Sequence, residues 1–562
     1  MEAGGGDLAN ANASFRRRHR RLIRLGGVLL VLTIAAAIAV SVALHRAEPY
    51  LRGRVVAALE QHFHARVELD SFHVSLMGGL RAEGKGLRIW PPAAANVASS
   101  GAPLIRLAEF RFHAPLRYEP GKPIDISRAV LNGLDVEVPP RLRLGHPGGG
   151  APDSGPGSGG LMRFRVDTIE CTNARLTMET SNPSKPPLVF AIARLTLTDA
   201  GEGRSGMGFK AELTNPRPKG TIHTHGRFGP WIVDDPGETP IAASYRFEHA
   251  DLASFKGIAG ILNSTGNFEG TLRDMNVDGV TDTPDFRLRS GGDAMHLRTH
   301  FHALVDGTNG DTQLKSVDAT LGQSHLTAQG EIMSVATVNA ENGQPARPGG
   351  HDIALKVNVD RGRIEDFLRL AAGGEPLLTG TLKMRTSLGV PPGKEPVSGR
   401  LQLKGHFLLE DAEFENANLQ KRIDELSMRG QGKPQEAKSP AAPNVRSSMQ
   451  SDFQMVNGFI SLPNLEYKVP GAEIDLSGTY GVNGGTLDFK GTAKMQATVS
   501  QMVGGWKGML LTPLDPFFKK GGAGTAVPVV IGGTRKEPHF TVDFGKLKKT
   551  SPQRPEQPAG AS

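Results

Sequence analysis

DIALKVNVD (352–360) sets Ile353, Leu355, Val357 and Val359 on one side of an extended chain, with Asp352, Ala354, Lys356, Asn358 and Asp360 on the other. A period of two is that of a β-strand with one dry and one wet face. Such strands belong to antiparallel sheet, because the doubly covered strands of parallel α/β proteins are apolar on both sides. The same phase returns in RLQLKGHFLL (400–409), with Leu401, Leu403, Phe407 and Leu409, and in AEIDLSGTYGV (472–482), with Ile474, Leu476, Tyr480 and Val482. From Val67 onward the alternation recurs between Gly, Pro and Asn-Gly punctuation, which suits a chain with 70 glycines and 39 prolines. The pattern predicts a mainly β protein of about 22 strands, and at ~4.8 Å per strand the sheet is at most on the order of 100 Å long.

Few helices accompany these strands. Pro49 to Phe63 spaces Leu51, Val55, Leu59 and Phe63 four apart, the mark of one apolar helix face. Two further short helices read as an internal repeat. Asp251 to Phe255 leads through a helix to Leu262 and the glycine-flanked strand Gly266 to Leu272. Arg363 to Phe367 leads likewise to Leu378 and Gly380-Thr381-Leu382. Low-complexity seams divide the rest: a Gly/Pro/Ser linker at 148–160, loops at 339–350 and 430–444, and a polar tail. The expected organisation is a cytoplasmic basic segment (1–24), a transmembrane helix (25–44), an N-terminal helix-and-strand region (45–147), the linker (148–160), a middle β region (161–400), a C-terminal region (401–545) and a disordered tail (546–562).

The transmembrane reading rests on Leu25 to Leu44, twenty residues without a charge, about the length that spans a bilayer core. Arg16, Arg17, Arg18, Arg20, Arg21 and Arg24 precede it, whereas Arg46, Arg52 and Arg54 follow among Glu48 and Glu60. The positive-inside bias keeps the N-terminus in the cytoplasm and exports the body. Ser41-Val42-Ala43 would suit signal cleavage, but the apolar run exceeds the ~7–15 residues of a signal core. The lone Cys171 closes no internal disulfide, so burial and backbone pairing hold the exported fold together. The formal charge of +8 lies largely in the arginine cluster and in Lys546, Lys548, Lys549 and Arg554. The near-neutral body between them offers no basic face to a nucleic acid.

Catalytic signatures fail their context. Gly201 to Gly206 (GEGRSG) fits the dinucleotide fingerprint, but Met207 to Leu213 alternates as a strand where the fingerprint needs a helix. His296, His300 and His302 could grip a metal, yet Met295, Leu297, Phe301, Ala303 and Val305 claim the other phase. The imidazoles therefore project from the wet face, with no nearby Asp or Glu expected on that face before Asp306 to complete a metal site. Glu410, Asp411, Glu413 and Glu415 read as a solvated run at a strand end. No cofactor or metal is expected, and the chain reads as a non-enzyme. Met502, Val503, Trp506, Met509 and Leu510 fall at helical spacing beside Lys507, Lys519 and Lys520. They form a candidate membrane or partner helix, or a plug for the end of the sheet, although Gly504, Gly505 and Gly508 weaken it.

Several segments resemble the AsmA-like family. They are Pro49-Tyr50-Leu51, SFHVSLMGGLRAEGKGLRIW (71–90), GHFLLEDAEFENANLQKRIDELSMRGQG (405–432), NGFISLPNLEYKVPGAEIDLSGTY (457–480), LDFKGTAKMQATVSQMVGG (487–505) and VPVVIGGTRKEPHFTVDF (527–544). The resemblance implies an inner-membrane anchor, a periplasmic body, and kinship with bridge-like lipid transfer proteins, whose long antiparallel sheet curls into a groove with an apolar floor. Curling also answers a deficit in the sequence itself, since a sheet dry on one face must cover that face and this chain has few helices to do so. The expected function is to carry or shield phospholipid in support of outer-membrane lipid homeostasis, with an outer-membrane or periplasmic protein as a further partner. Ile353, Leu355, Val357, Val359, Leu401, Leu403, Phe407, Leu409, Ile474, Leu476, Tyr480 and Val482 would form the floor. The alternative is a periplasmic scaffold that regulates outer-membrane protein assembly without carrying lipid.

Overall fold

The computed structural model describes residues 49–50, 52–53, 55–57, 59–60, 65–75, 80–90, 103–114, 124–139, 164–180, 182, 185–201, 206–216, 218–232, 235–289, 291–337, 347–436, 445–482, 484–503, 525–535 and 537–542. The apolar segment 25–44 and the linker 148–160 lie outside them. Among the described residues no helix is long and apolar enough to cross a membrane. The chain is mainly β, with a curled sheet and few short helices, and it divides into two compact units.

The first unit holds residues 1–179, 189–213 and 224–240. Its opening strands are β1 (Val67–Glu68), β2 (Ser71–Ser75), β3 (Leu80–Ile89), β4 (Ile105–Ala114), β5 (Ile124–Val138) and β6 (Phe164–Met178). The described residues between 49 and 60 are helical, as the four-residue spacing predicts. Val55 and Val56 pack with Phe110 and Phe112 against buried Leu69, Phe72 and Ala82. One pairing departs from the antiparallel expectation. β5 runs parallel to β6, with Ile124 opposite Phe164 and Val138 opposite Met178. Parallel neighbours need a long crossover rather than a tight turn, and the Gly/Pro/Ser-rich stretch between Val138 and Phe164 is long enough to supply one. β7 (Leu188–Gly201), β8 (Met207–Pro216) and β9 (Lys219–Phe228) are divided between the units. β8 follows the GEGRSG segment directly, a strand where a dinucleotide site would need a helix.

The second unit holds residues 180–188, 214–223 and 241–562. Its strands are β10 (Pro240–Asp251), β11 (Ile258–Ala259), β12 (Ile261–Thr271), β13 (Met275–Leu288), β14 (Met295–Val305), β15 (Thr312–Leu321), β16 (Ser324–Thr337) and β17 (Arg347–Arg363). There follow β18 (Leu378–Val390), β19 (Gln402–Phe414), β20 (Ser447–Val456), β21 (Phe459–Val469), β22 (Ala472–Gly481), β23 (Thr486–Met495), β24 (Thr525–Thr534) and β25 (Pro538–Val542). From β12 to β25 each strand pairs antiparallel with the next in sequence. Arg347 to Gly350, expected in a loop, open β17 instead.

The registers line up residues of like character. One row crosses the sheet through Phe268, Val277, Ala303, Leu314, Gly330, Leu355, Leu388, Leu403, Met455, Ile460, Tyr480 and Leu487. Every member is apolar, aromatic or glycine. The adjacent row on the other face runs Gln329, Lys356, Ser387, Lys404, Gln454, Ser461, Thr479 and Asp488. Aromatic rings lie over cross-strand glycines on the apolar face. A Cβ on Gly279 would sit 2.4 Å from the Tyr245 hydroxyl and 2.9 Å from the Phe301 ring, and one on Gly478 would sit 2.6 Å from the Phe489 ring.

Strand ends define two rims. Met275, Val305, Thr312 and Val390 mark the first, where the β16–β17 pair runs on past Ile332 and Ile353 to Thr337 and Arg347, and Leu288, Leu321, Arg363, Leu378 and Phe414 lie towards the second. Two helices cover the second rim. In the helix Ile364–Ala372, Ile364 and Phe367 pack on Leu382, Leu409 and Ala412. Asp366 accepts hydrogen bonds from the Gln323 N–H and the Ser324 hydroxyl at the β15–β16 turn, at 2.9 and 2.8 Å. In the helix Ala417–Gly430, capped by the Asn416 side chain, Ile423 and Leu426 pack on Tyr467, Val469 and Ala472. This helix was not among those expected from the sequence. Conversely, the expected helix after Asp251 is a single 3₁₀ turn, Leu252–Ser254. Gly257 and Gly260 follow it at once, both at positive φ, and the chain turns into β11 and β12 instead of continuing a helix.

Candidate functional site

Alternation fixes which side chains meet on the apolar face, and the curl shelters them. In β17, Ile353, Leu355 and Val357 are half-buried and Val359 is buried, while Asp352, Ala354, Lys356 and Asp360 are exposed. A cavity of ≈ 710 Å³ lies over the middle of this face. Its lining comes in runs of three: 313–315, 329–331, 354–356, 387–389, 402–404 and 454–456. Each run is centred on one member of the apolar row: Leu314, Gly330, Leu355, Leu388, Leu403 and Met455. A second cavity of ≈ 670 Å³ is centred in the same way on Val317, Ala328, Val357 and Thr386. Volumes of this size fall within the roughly 300–1,000 Å³ of small-molecule pockets. No titratable side chain belongs to either floor row.

The apolar face changes character towards the second rim and towards the C-terminal strands. Leu409 is 2 % exposed beneath Ile364 and Phe367. Phe407 packs on Leu409 and Met449, with its ring 6.2 Å from that of Phe453. Ile474 joins the cluster under the Ala417–Gly430 helix, and Leu476 packs with Leu465, Phe489 and Tyr480. Here protein fills the inside of the sheet.

The structure thus divides the expected floor. Leu355, Val357 and Leu403 line the cavities, Ile353 lies beside them towards the first rim, and Val359, Phe407, Leu409, Ile474, Leu476 and Tyr480 have protein side chains for neighbours. Leu401 and Val482 fall outside the strands assigned to them. Leu401 caps the short helix Val397–Arg400, and Val482 sits in the turn after β22 with its N–H donating to the Gly458 carbonyl at 2.9 Å. Leu314, Leu388, Met455 and Val317 belong to the floor although the sequence reading did not single them out. Alternation in LTGTLKMRTSLGV (378–390) carries the signal for Leu388 and that in SSMQSDFQMV (447–456) for Met455, whereas Leu314 and Val317 differ in phase and share the face through the register shift between them. Of the expected partner helix, Met502 and Val503 lie in the short helix Val499–Val503, which follows Ala497, whose N–H donates to Gly430 at 2.8 Å. Trp506, Met509 and Leu510 lie outside the described residues.

The wet face carries the charges. His296, His300 and His302 project from it as the phase of β14 requires. Acids are nearer than the strand's own sequence suggests, because β13 places Asp282 and Asp278 beside them: His296 Nε2 is 2.6 Å from Asp282, and His300 Nε2 is 3.3 Å from Asp278. The hydrogen bonds from His296 and Arg298 hold Asp282 below the usual carboxylate range. Asp282 is shared by His296 and Arg298 while Asp278 faces His300, so these are polar pairings across two strands rather than a convergent metal site. Glu410 is paired with Lys383 at 2.7 Å and Asp411 with Arg446 at 3.6 Å, as a solvated run would be. Glu466, Glu473 and Asp475 come close enough together to hold a cation. Lys468 and Lys494 already occupy them, at 2.5 Å from Glu466 and 2.6 Å from Asp475, and the Lys468 contact holds Glu466 below its ordinary range.

The chain matches no family model, no curated protein and no solved structure.

Proposed function

We propose that this protein carries or shields lipid acyl chains on the apolar floor of its curled sheet, as an AsmA-like protein anchored by residues 25–44 with its body in the periplasm. One observation carries the reading. A row of apolar side chains contributed by consecutive strands underlies a cavity instead of meeting a second layer of protein. Apolar surface left uncovered in this way costs free energy in water, and an acyl chain laid on it would recover roughly 0.8 kcal/mol per buried CH₂. No catalytic group is needed for that task.

The test is co-purification. Native mass spectrometry of the detergent-extracted full chain should find phospholipid. Leu355→Glu with Leu403→Glu should remove it, because a carboxylate on the floor must be desolvated beside the chain. Lys356→Glu with Lys404→Glu, one residue away on the wet face, should leave it bound. Equal lipid in both folded double variants would defeat the proposal. The packed clusters around Leu409, Tyr467 and Leu476 favour a second reading for the C-terminal strands alone, in which that end of the sheet acts as a scaffold for a partner protein.

A further inference from the structure

Two loops from opposite rims meet. The loop around Lys256 lies at the second rim, where Ile258 pairs with Leu288 and the Arg289 N–H donates to Gly257 at 2.9 Å. The loop from Pro391 to Leu401 leaves from the first rim, between Val390 and Gln402. In a flat sheet the rims would stand a strand length apart, about 45 Å for the 14 residues of β13. Instead the Val397 N–H donates to the Lys256 carbonyl at 2.9 Å, and Lys256 Nζ donates to the Lys394 carbonyl at 3.0 Å. Neither loop is long enough to cross that distance, so the sheet itself bends until its rims touch. Both cavities lie on β15 to β20, largely within the span of strands whose rims the contact joins.

The Pro391–Leu401 loop is built to hold this position. Arg400 donates from Nε to the Glu395 carbonyl at 3.0 Å and from its guanidinium to the Pro391 carbonyl, bracing the loop from within. The short helix Val397–Arg400 then aims its first N–H across the opening. Among the described residues the hydrogen bonds that bridge the two loops are these two. That makes a firm loop with a weak latch.

We propose that these loops form a clasp that closes the mouth of the groove, and that lipid leaves sideways from the cavities only when the Lys256–Val397 contact opens. The inference rests on the lipid reading above. In a Cys171→Ser background, Lys256→Cys with Val397→Cys tests it, because a backbone hydrogen bond of 2.9 Å between these residues implies a Cα separation within the 4.4–6.8 Å of disulfides. The assay follows nitrobenzoxadiazole-labelled phosphatidylethanolamine moving from the full-length protein to vesicles of phosphatidylethanolamine and phosphatidylglycerol. Oxidation should hold transfer at the protein-free rate with the labelled lipid still bound, and reductant should restore it. A second variant, Val397→Pro, removes only the N–H of the latch. Proline is tolerated at the first position of a helix, and Pro396 before it is already extended at φ −55 and ψ 147. It should speed release by about fivefold, the equivalent of one net hydrogen bond. Equal transfer by oxidised and reduced protein, or a cysteine pair that will not oxidise, would overturn the clasp while leaving the groove. Absence of bound lipid in every form, wild type included, would overturn both.

Discussion

Truncating two leucines of one strand measures where the sheet is filled and where it is hollow. Leu409 is 2 % exposed and surrounded by Leu382, Ala412, Ile364, Phe367 and Met449. Leu409→Ala therefore removes buried methyl groups and leaves a void between a sheet and a helix that cannot both collapse onto it, which costs about 3–5 kcal/mol. Leu403 is half-buried, and its inner side faces the cavity. Leu403→Ala loses contacts on one side only and merely enlarges an existing space, so it should cost about 1 kcal/mol. Hydrogen exchange of the full chain, read by mass spectrometry on peptides from β18 and β19, reports both values locally without assuming that two units unfold together. A Leu403→Ala cost as large as that of Leu409→Ala would mean that the middle row is packed like the second rim, and the hollow floor would have to be abandoned.

Three further outcomes follow from the same geometry. Gly279→Ala places a methyl group 2.4 Å from the Tyr245 hydroxyl and 2.9 Å from the Phe301 ring, and should destabilise β12 to β14 by about 1–3 kcal/mol, again by hydrogen exchange. Asp366→Ala strands the Gln323 N–H and leaves the Ser324 hydroxyl only the Arg363 carbonyl at 3.4 Å as acceptor, at a cost of about 1–3 kcal/mol confined to the β15–β16 turn and its helix. Burial pushes Tyr467 up from 10.0 to about 12. Its folded-state value being the higher one, its contribution is intact below pH 10 and lost as the pH rises towards 12; in a spectrophotometric titration Tyr467→Phe should flatten the alkaline loss of stability, and an unchanged curve would show that the hydroxyl is not sheltered.

Strand phase was legible in the sequence because alternation is a local property: DIALKVNVD and RLQLKGHFLL state which residues share a face without reference to the rest of the chain. What covers that face is not local. Leu403 and Leu409 have the same phase and the same residue type, and only the Ile364–Ala372 helix, folded back over one of them, separates a floor residue from a core residue. The Ala417–Gly430 helix escaped notice because Gln420, Asp424 and Ser427 occupy its buried face beside Ile423 and Leu426. These polar groups bond the Phe414 and Val445 N–H groups and the Pro470 carbonyl, so the apolar period is diluted where the helix does the most bonding. Asn416 as its cap was the available signal. The acids beside His296 and His300 come from the neighbouring strand, and the β5–β6 pairing and the meeting of the rims depend on strand neighbours or curvature that no single segment encodes.

The unbroken succession from β12 to β25, each strand paired with the one just made, turns the molecule into something like a ruler. Adding or deleting one hairpin would change its reach by about 10 Å, two strand spacings, without altering the bore or the register of any other pair. Length and cross-section are thus separate variables for this architecture. A lineage could lengthen or shorten such a sheet while every floor residue outside the altered hairpin kept its place.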